Sequence, residues 1–296
     1  MGSTLDITLQ PEREQMSDGE MKHHLVSQVL LKQWCTQSHT HEAYCYNISK
    51  CKVEQLGTQG IGYKYEKLHP SDRYIFEELW QKTENEAGSI LCCINNNTNI
   101  AFLKDSWDDT LKDLLAIHLI RSFAYVKNYR ERFSLEINNY DPSNIPCTTI
   151  PKHEYTNLLK NKLENSSYYP DAMEEIYPHL KKIIAAKRCA LYRIPESLKD
   201  STFLIGDCPV LPLTISKGQP ALARRMFGPD VATYFFPIGP KVSVQLSNIT
   251  SEQEVSIEVI ELLNELQIRN AEYEIIWDIN SQHHLESVKR IRGKRV

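Results

Sequence analysis

The spacing of apolar residues changes period near Ala190, and that change bounds the fold. Before it, four stretches keep the three-to-four spacing of amphipathic helices, at about 73–95, 107–135, 151–164 and 170–188. In the first, Ile75, Leu79, Ala87, Ile90, Leu91 and Ile94 carry the pattern, and Asn95-Asn96-Asn97 ends it. The second is apolar around its whole circumference from Leu111 to Phe123, so its middle is expected to be buried. After Ala190 the apolar runs shorten. Ser201 to Ile205 runs into Gly206-Asp207-Cys208-Pro209, and Thr233 to Ile238 and Lys241 to Leu246 flank a Gly239-Pro240 turn. Between them, Ala221 to Phe227 reads as a short helix; a final helix over about 251–272 and a closing strand at Glu274 to Asp278 follow. Helices followed by strands, rather than alternating with them, predict an α+β fold that is mainly helical, with a small antiparallel sheet in the C-terminal half at about 200–246. Two shorter features lie near the N-terminus. Thr4 to Gln10 could add an edge strand, and Glu42 to Ile48 with Cys51 to Leu56 reads as a hairpin.

A chain of 296 residues can bury a sizeable core. The expected organisation is a flexible segment at 1–20, one globular domain at 21–280 (helical over 21–190, sheet-containing over 191–280), and a basic tail at 281–296. The formal net charge is -4, so no global field favours nucleic acid. No 18-residue apolar run is present and the first residues lack an apolar export segment, so a cytoplasmic protein without membrane contact is expected. None of the eight cysteines forms a Cys-x-x-Cys pair, and reduced thiols are the expectation. Cys45 and Cys51 with His39 and His41 match no standard zinc spacing.

The residues that could carry chemistry are polar groups inside apolar patterns. His23 and His24 open the segment 22–35, which reads as a helix with His24, Gln28 and Leu31 on one face. Adjacent imidazoles can ligate a metal, move a proton or bond a phosphate; the plainer reading is that they cap a helix start. Asp207 follows an apolar strand and precedes Cys208-Pro209, a placement that suits a metal ligand or a general base as well as a turn aspartate. Arg121 sits in the most apolar part of its helix, near His118, and needs a carboxylate or an anionic ligand; Glu84 or Glu86 could supply the former. Asn264 lies between Leu263 and Leu266, so its amide needs a buried partner, and Asn270 follows six residues on. His283-His284 lies in the polar tail and reads as solvent-exposed.

These residues resemble a family: an uncharacterised, mostly bacterial domain of unknown function that opens on a His-His-Tyr-Val-Pro-type signature. His23, His24, Val26, Leu31, Lys32 and Trp34 fit that signature, while Leu25 stands for its tyrosine and Ser27 for its proline. The likeness continues through Glu84, Arg121, Asp207 with Pro209, the Phe236 to Pro240 turn, and Asn264 with Asn270-Ala271, and so covers about 20–278. The family brings no settled activity. Because each of these dispersed residues is a polar one in an apolar pattern and a buried polar group needs partners, His23 or His24 is expected within reach of Asp207, with Arg121 and Asn264 lining the same pocket. Two functions would suit such a cluster. The first is a metal-dependent hydrolase of a phosphodiester or nucleotide, nuclease-like, of the kind used as a phage-defence (antiviral) or toxin effector. In it His23, His24, Glu84 and Asp207 are catalytic, His24 and Asp207 hold a divalent metal, and Arg121, Gln28, Asn264 and Asn270 bind a phosphorylated small molecule or nucleic acid. The second is a non-enzymatic sensor or interaction protein with a polar anion-binding pocket and a protein partner. The net charge and the lack of a basic stripe weigh against long nucleic acid.

Overall fold

The computed structural model describes residues 21–35, 41–66, 75–96, 107–122, 172–216, 218–223, 231–248 and 255–293, with isolated positions at 151, 153, 154 and 157. A short strand β1 (Met21–His24) leads into helix α1 (Gln28–Cys35). Strands β2 (Glu42–Asn47), β3 (Lys52–Gly57) and β4 (Tyr63–Glu66) follow. A π-helical turn, Ile75–Trp80, runs into α2 (Gln81–Asn95), then α3 (Trp107–Arg121). A second π-helical turn, Ala172–Ile176, precedes α4 (Tyr177–Ala185). The remainder is β5 (Arg188–Arg193), β6 (Ile205–Gly206), β7 (Leu211–Ser216), β8 (Gln219–Leu222), β9 (Thr233–Gly239), β10 (Val242–Ser247), α5 (Ile257–Asn270), β11 (Glu274–Asp278) and α6 (His283–Arg292).

The strands form two large antiparallel sheets and a ribbon. The five-stranded sheet has the order β5-β10-β9-β7-β8; the four-stranded sheet has the order β3-β2-β11-β6; β1 and β4 make the ribbon. This corrects the expectation of a mainly helical fold with one small sheet in the C-terminal half. The four-stranded sheet takes β2 and β3 from the N-terminal part and closes them against β11, with Ala43 opposite Asp278 and Asn47 opposite Glu274. Local periodicity shows the strands, but this pairing joins residues more than two hundred positions apart, which no local pattern reports.

Period-two alternation divides each sheet between two cores. Ala43 and Cys45 of β2 face the main core, where they join Leu30, Leu31 and Trp34 of α1, the buried faces of α2, α3 and α4, and Tyr234, Phe236 and Ile238 of β9. Tyr44, Tyr46, Ile275 and Trp277 face the opposite way, against Leu285 and Val288 of α6. The far side of the five-stranded sheet, with Phe235 and Leu213, is covered by Ile260, Leu263 and Leu266 of α5. α3 is buried from Leu114 through Arg121, as its uniform apolarity requires.

Three further expectations change. Residues 22–27 are not helical, because β1 pairs with β4 and the Leu25 and Val26 N–H groups both donate to the Gly62 carbonyl. Ala221 and Leu222 belong to β8, paired with Thr214 and Leu213 of β7, rather than to a helix. The expected tail at 281–296 contains α6, whose Leu285 and Val288, three apart, bury into the second core. Residues 4–10 lie outside the described residues, as do 122–135 beyond Ser122 and most of 151–164. No disulfide joins the described cysteines.

Gly62 is left-handed, with φ +66, and a Cβ there would lie 2.8 Å from Leu31 Cδ1. Gly62→Ala should therefore lose about 2–4 kcal/mol, from the backbone conformation and the collision with α1. Denaturant midpoints check this; a loss under ~0.5 kcal/mol would show that α1 is free to move aside.

Candidate functional site

α1 starts in a polar setting because three successive backbone donors before it need acceptors. Leu25 and Val26 use the Gly62 carbonyl, at 2.7 and 3.1 Å. Ser27 N–H donates to His118 Nε2 at 3.2 Å, while the Ser27 carbonyl opens the helix by accepting from Leu30 and Leu31. His118 Nδ1 lies 2.8 Å from the Leu114 carbonyl, so that nitrogen carries the proton and Nε2 is left as the acceptor. Burial, then the charge of Arg121, lowers His118 from 6.5 to about 3. The ring is thus a neutral structural cap, resting 5.4 Å from the Phe236 ring.

One turn on in α3, Arg121 pairs with Glu84 of α2, Nη1 to Oε1 at 2.6 Å, and its guanidinium carbon lies 5.4 Å from the Trp80 ring. Glu84 is therefore the carboxylate that the buried arginine requires. On the other side of Ser27, His24 Nε2 and Gln28 Nε2 are 2.8 Å apart, and the His24 ring meets Tyr63 edge-on with centroids 6.0 Å apart. Both side chains are half-buried. His23 is in β1 opposite Lys64. The start of α1 thus carries His24 and Gln28, and the Ser27–His118 bond ties it to the helix that bears the Arg121–Glu84 pair.

Asp207, Asn264 and Asn270 belong to a second group. β6 is the edge of the four-stranded sheet, and α5 lays a polar stripe along that edge. Asn264 accepts from Leu204 N–H at 3.1 Å and donates to the Thr202 carbonyl at 2.8 Å. Gln267 accepts from Gly206 N–H at 3.3 Å and donates to the Pro209 carbonyl at 2.6 Å. Asn270 donates to the Cys208 carbonyl at 3.1 Å. These amides replace the neighbouring strand that an edge lacks. Gly206 is needed for the close approach, since a Cβ there would lie 2.9 Å from Ala271 Cβ. Asp207 completes the join. It is fully buried, and its Oδ1 and Oδ2 accept the N–H groups of Glu272 and Tyr273, at 2.9 and 3.2 Å. Burial raises its carboxyl from 3.8 to about 6, against the pull of those N–H groups.

The carboxylate of Asp207 meets no histidine among the described residues; its partners are the main-chain groups of the α5–β11 turn. Glu274 links the two groups: its main-chain carbonyl accepts from Asp207 N–H and its Oε2 accepts from Gly62 N–H at 2.7 Å. So the single convergent pocket expected from the sequence is divided into a helix-start group and a sheet-edge group. Among the described residues no three His, Cys, Asp or Glu side chains are placed to hold one metal ion. Gln267 and His118 were missed as partners. Gln267 was legible as the middle of an Asn264, Gln267, Asn270 stripe at three-residue spacing, and His118 as the imidazole one turn before Arg121. His284, expected in a solvated tail, is buried and bonds Thr202 Oγ1 at 2.7 Å. No described helix is long and apolar enough to cross a membrane.

The buried titratable groups set a pH dependence. His118 and His284 are both lowered to about 3, chiefly by burial, so their contribution to stability is present above 6.5 and is lost as pH falls toward 3. Asp207, raised to about 6, works in the opposite sense: its contribution is present below 3.8 and is lost as pH rises to about 6. The histidines outweigh it between pH ~6 and ~4. Removing one of them, as in His118→Gln, should make the stability slope over that window shallower by about 1.4 kcal/mol per pH unit. Urea unfolding at several pH values measures the difference; equal slopes would mean that His118 is not held neutral.

No curated protein and no solved structure matches the chain. The family model described as "Protein of unknown function (DUF4238)" matches residues 22–280, a span that includes both polar groups. The chain therefore belongs to the DUF4238 family of proteins of unknown function.

Proposed function

We propose that this chain is a non-enzymatic, cytoplasmic sensor or interaction protein that holds an anionic group at the helix-start cluster. The observation that carries this reading is the use of Asp207. A carboxylate that activates water or binds a metal must present an oxygen to it. Both oxygens of Asp207 face main-chain N–H groups, inside a turn with no solvent exposure. The accessible polar groups are instead His24 and Gln28, linked through Ser27 and His118 to the charged Arg121. An imidazole and an amide side by side suit a phosphate or carboxylate group of a small molecule or a protein partner.

Inorganic phosphate should raise the melting temperature of the full chain, and His24→Ala should abolish that rise. Bis(p-nitrophenyl) phosphate and nucleotides, with Mg2+ or Mn2+, should not be turned over. Asp207→Asn should lower stability by about 1–3 kcal/mol, because one N–H of the turn then faces an amide NH2. Metal-dependent turnover that Asp207→Asn abolishes at an unchanged melting temperature would overturn the proposal in favour of a hydrolase.

A further inference from the structure

We propose that a cavity between the four-stranded sheet and α6 binds a small planar aromatic anion, a single ring system carrying a carboxylate or phosphate. The cavity is about 230 Å³ and lies on the sheet face turned away from the main core. Tyr44 and Trp277, partners across the β2–β11 pairing, form an aromatic wall with ring centroids 5.9 Å apart. Leu285 of α6 lines it as well. Trp277 is buried, yet its indole N–H has no hydrogen-bond partner among the described residues. The nitrogen itself is covered, so Trp277 offers the cavity its aromatic ring rather than a donor.

Charge fixes the sign of the ligand. Lys52 and Lys289 line the cavity against a single acidic residue, Glu54. Lys52 is held by Glu54 at 3.0 Å. Among the described residues Lys289 pairs with Glu286, at 3.6 Å with both side chains largely exposed, so its ammonium can turn to a ligand at little cost. Volume fixes the size: the cavity is below the ~300–1,000 Å³ of drug-sized pockets, which admits one ring system and excludes a polymer. Aromatic walls and a lysine ammonium together select a flat, negatively charged molecule over an aliphatic one.

Calorimetric titration of the full chain tests this with two anions, adenosine monophosphate and indole-3-acetate, and their neutral counterparts, adenosine and indole-3-acetamide. At least one anion should bind, more tightly than its neutral counterpart. Lys289→Ala, an exposed change that leaves the fold intact, should weaken that anion about tenfold and leave the neutral molecule unaltered. Tyr44→Leu removes half of the aromatic wall and should weaken both the anion and its neutral counterpart several-fold. Binding of one anion alone identifies which chemical source the cavity serves. No binding of either anion at ~1 mM, equal binding of the neutral molecules, or affinities unmoved by Lys289→Ala would each overturn the proposal. A phosphate effect removed by His24→Ala but not by Lys289→Ala belongs to the helix-start cluster and leaves this test unaffected.

Discussion

The main-chain N–H and carbonyl of Gly62 join three parts of the molecule. Its N–H donates to Glu274 of β11, and its carbonyl receives both Leu25 and Val26 at the turn from β1 into α1. α1 has only eight residues, too few to be helical alone. It is stable because Leu30, Leu31 and Trp34 are completely buried, and because the Trp34 indole reaches the Phe203 carbonyl at 3.2 Å. Those contacts set α1 against α2, β2, β9 and β11 at once. A shift of Gly62 would cost the helix its entry angle and both sheets their shared plug. The left-handed conformation keeps the carbonyl aimed at two donors while Leu31 occupies the space where a side chain would stand.

The stripe on α5 answers a different demand of the same architecture. An edge strand of two residues offers little pairing, so the segment around β6 depends on side-chain amides. Five hydrogen bonds from Asn264, Gln267 and Asn270 fasten it. Each is worth about 0.5–1.5 kcal/mol net, but losing one leaves a buried main-chain group unpaired at about 1–3 kcal/mol. That asymmetry explains why polar residues stand in the apolar pattern of α5. It also explains the acidic residue at the end of β6: its two oxygens match two adjacent donors where α5 turns into β11.

What the sequence disclosed follows from the range of the forces involved. Helices α2, α3 and α5, and strands β2, β3, β9, β10 and β11, lie where hydrophobic period and turn residues put them, because both signals act within a few residues. The joining of β2 to β11 was hidden, since nothing in Glu42 to Asn47 encodes a partner at Glu274 to Asp278. The start of α1 was misread because the donors of Leu25 and Val26 are claimed by Gly62, which is distant in sequence. Polar residues in apolar patterns correctly signalled buried partners. They could not signal whether the partner was a ligand or a main-chain amide, and for Asp207, Asn264 and Asn270 it is the main chain. α6 was obscured by its many charges, although Leu285 and Val288 carry the helical spacing.

The four-stranded sheet assigns its two faces to different cores by alternation alone. In β2, Ala43 and Cys45 turn toward α1 and the main core, whereas Tyr44 and Tyr46 turn to the opposite face, where α6 and the cavity lie. α6 is held at both ends: Arg292 donates to the carbonyls of Ile268 and Ala271, and His284 bonds Thr202 Oγ1. Thr202 is the residue whose carbonyl Asn264 grips, and the His284 ring meets Trp277 edge-on at 6.5 Å. The amide-held edge and the aromatic wall therefore share one buried imidazole. A displacement of α6 must either carry Thr202 with it or break the 2.7 Å bond, which ties the outer face of the sheet to the segment that α5 braces.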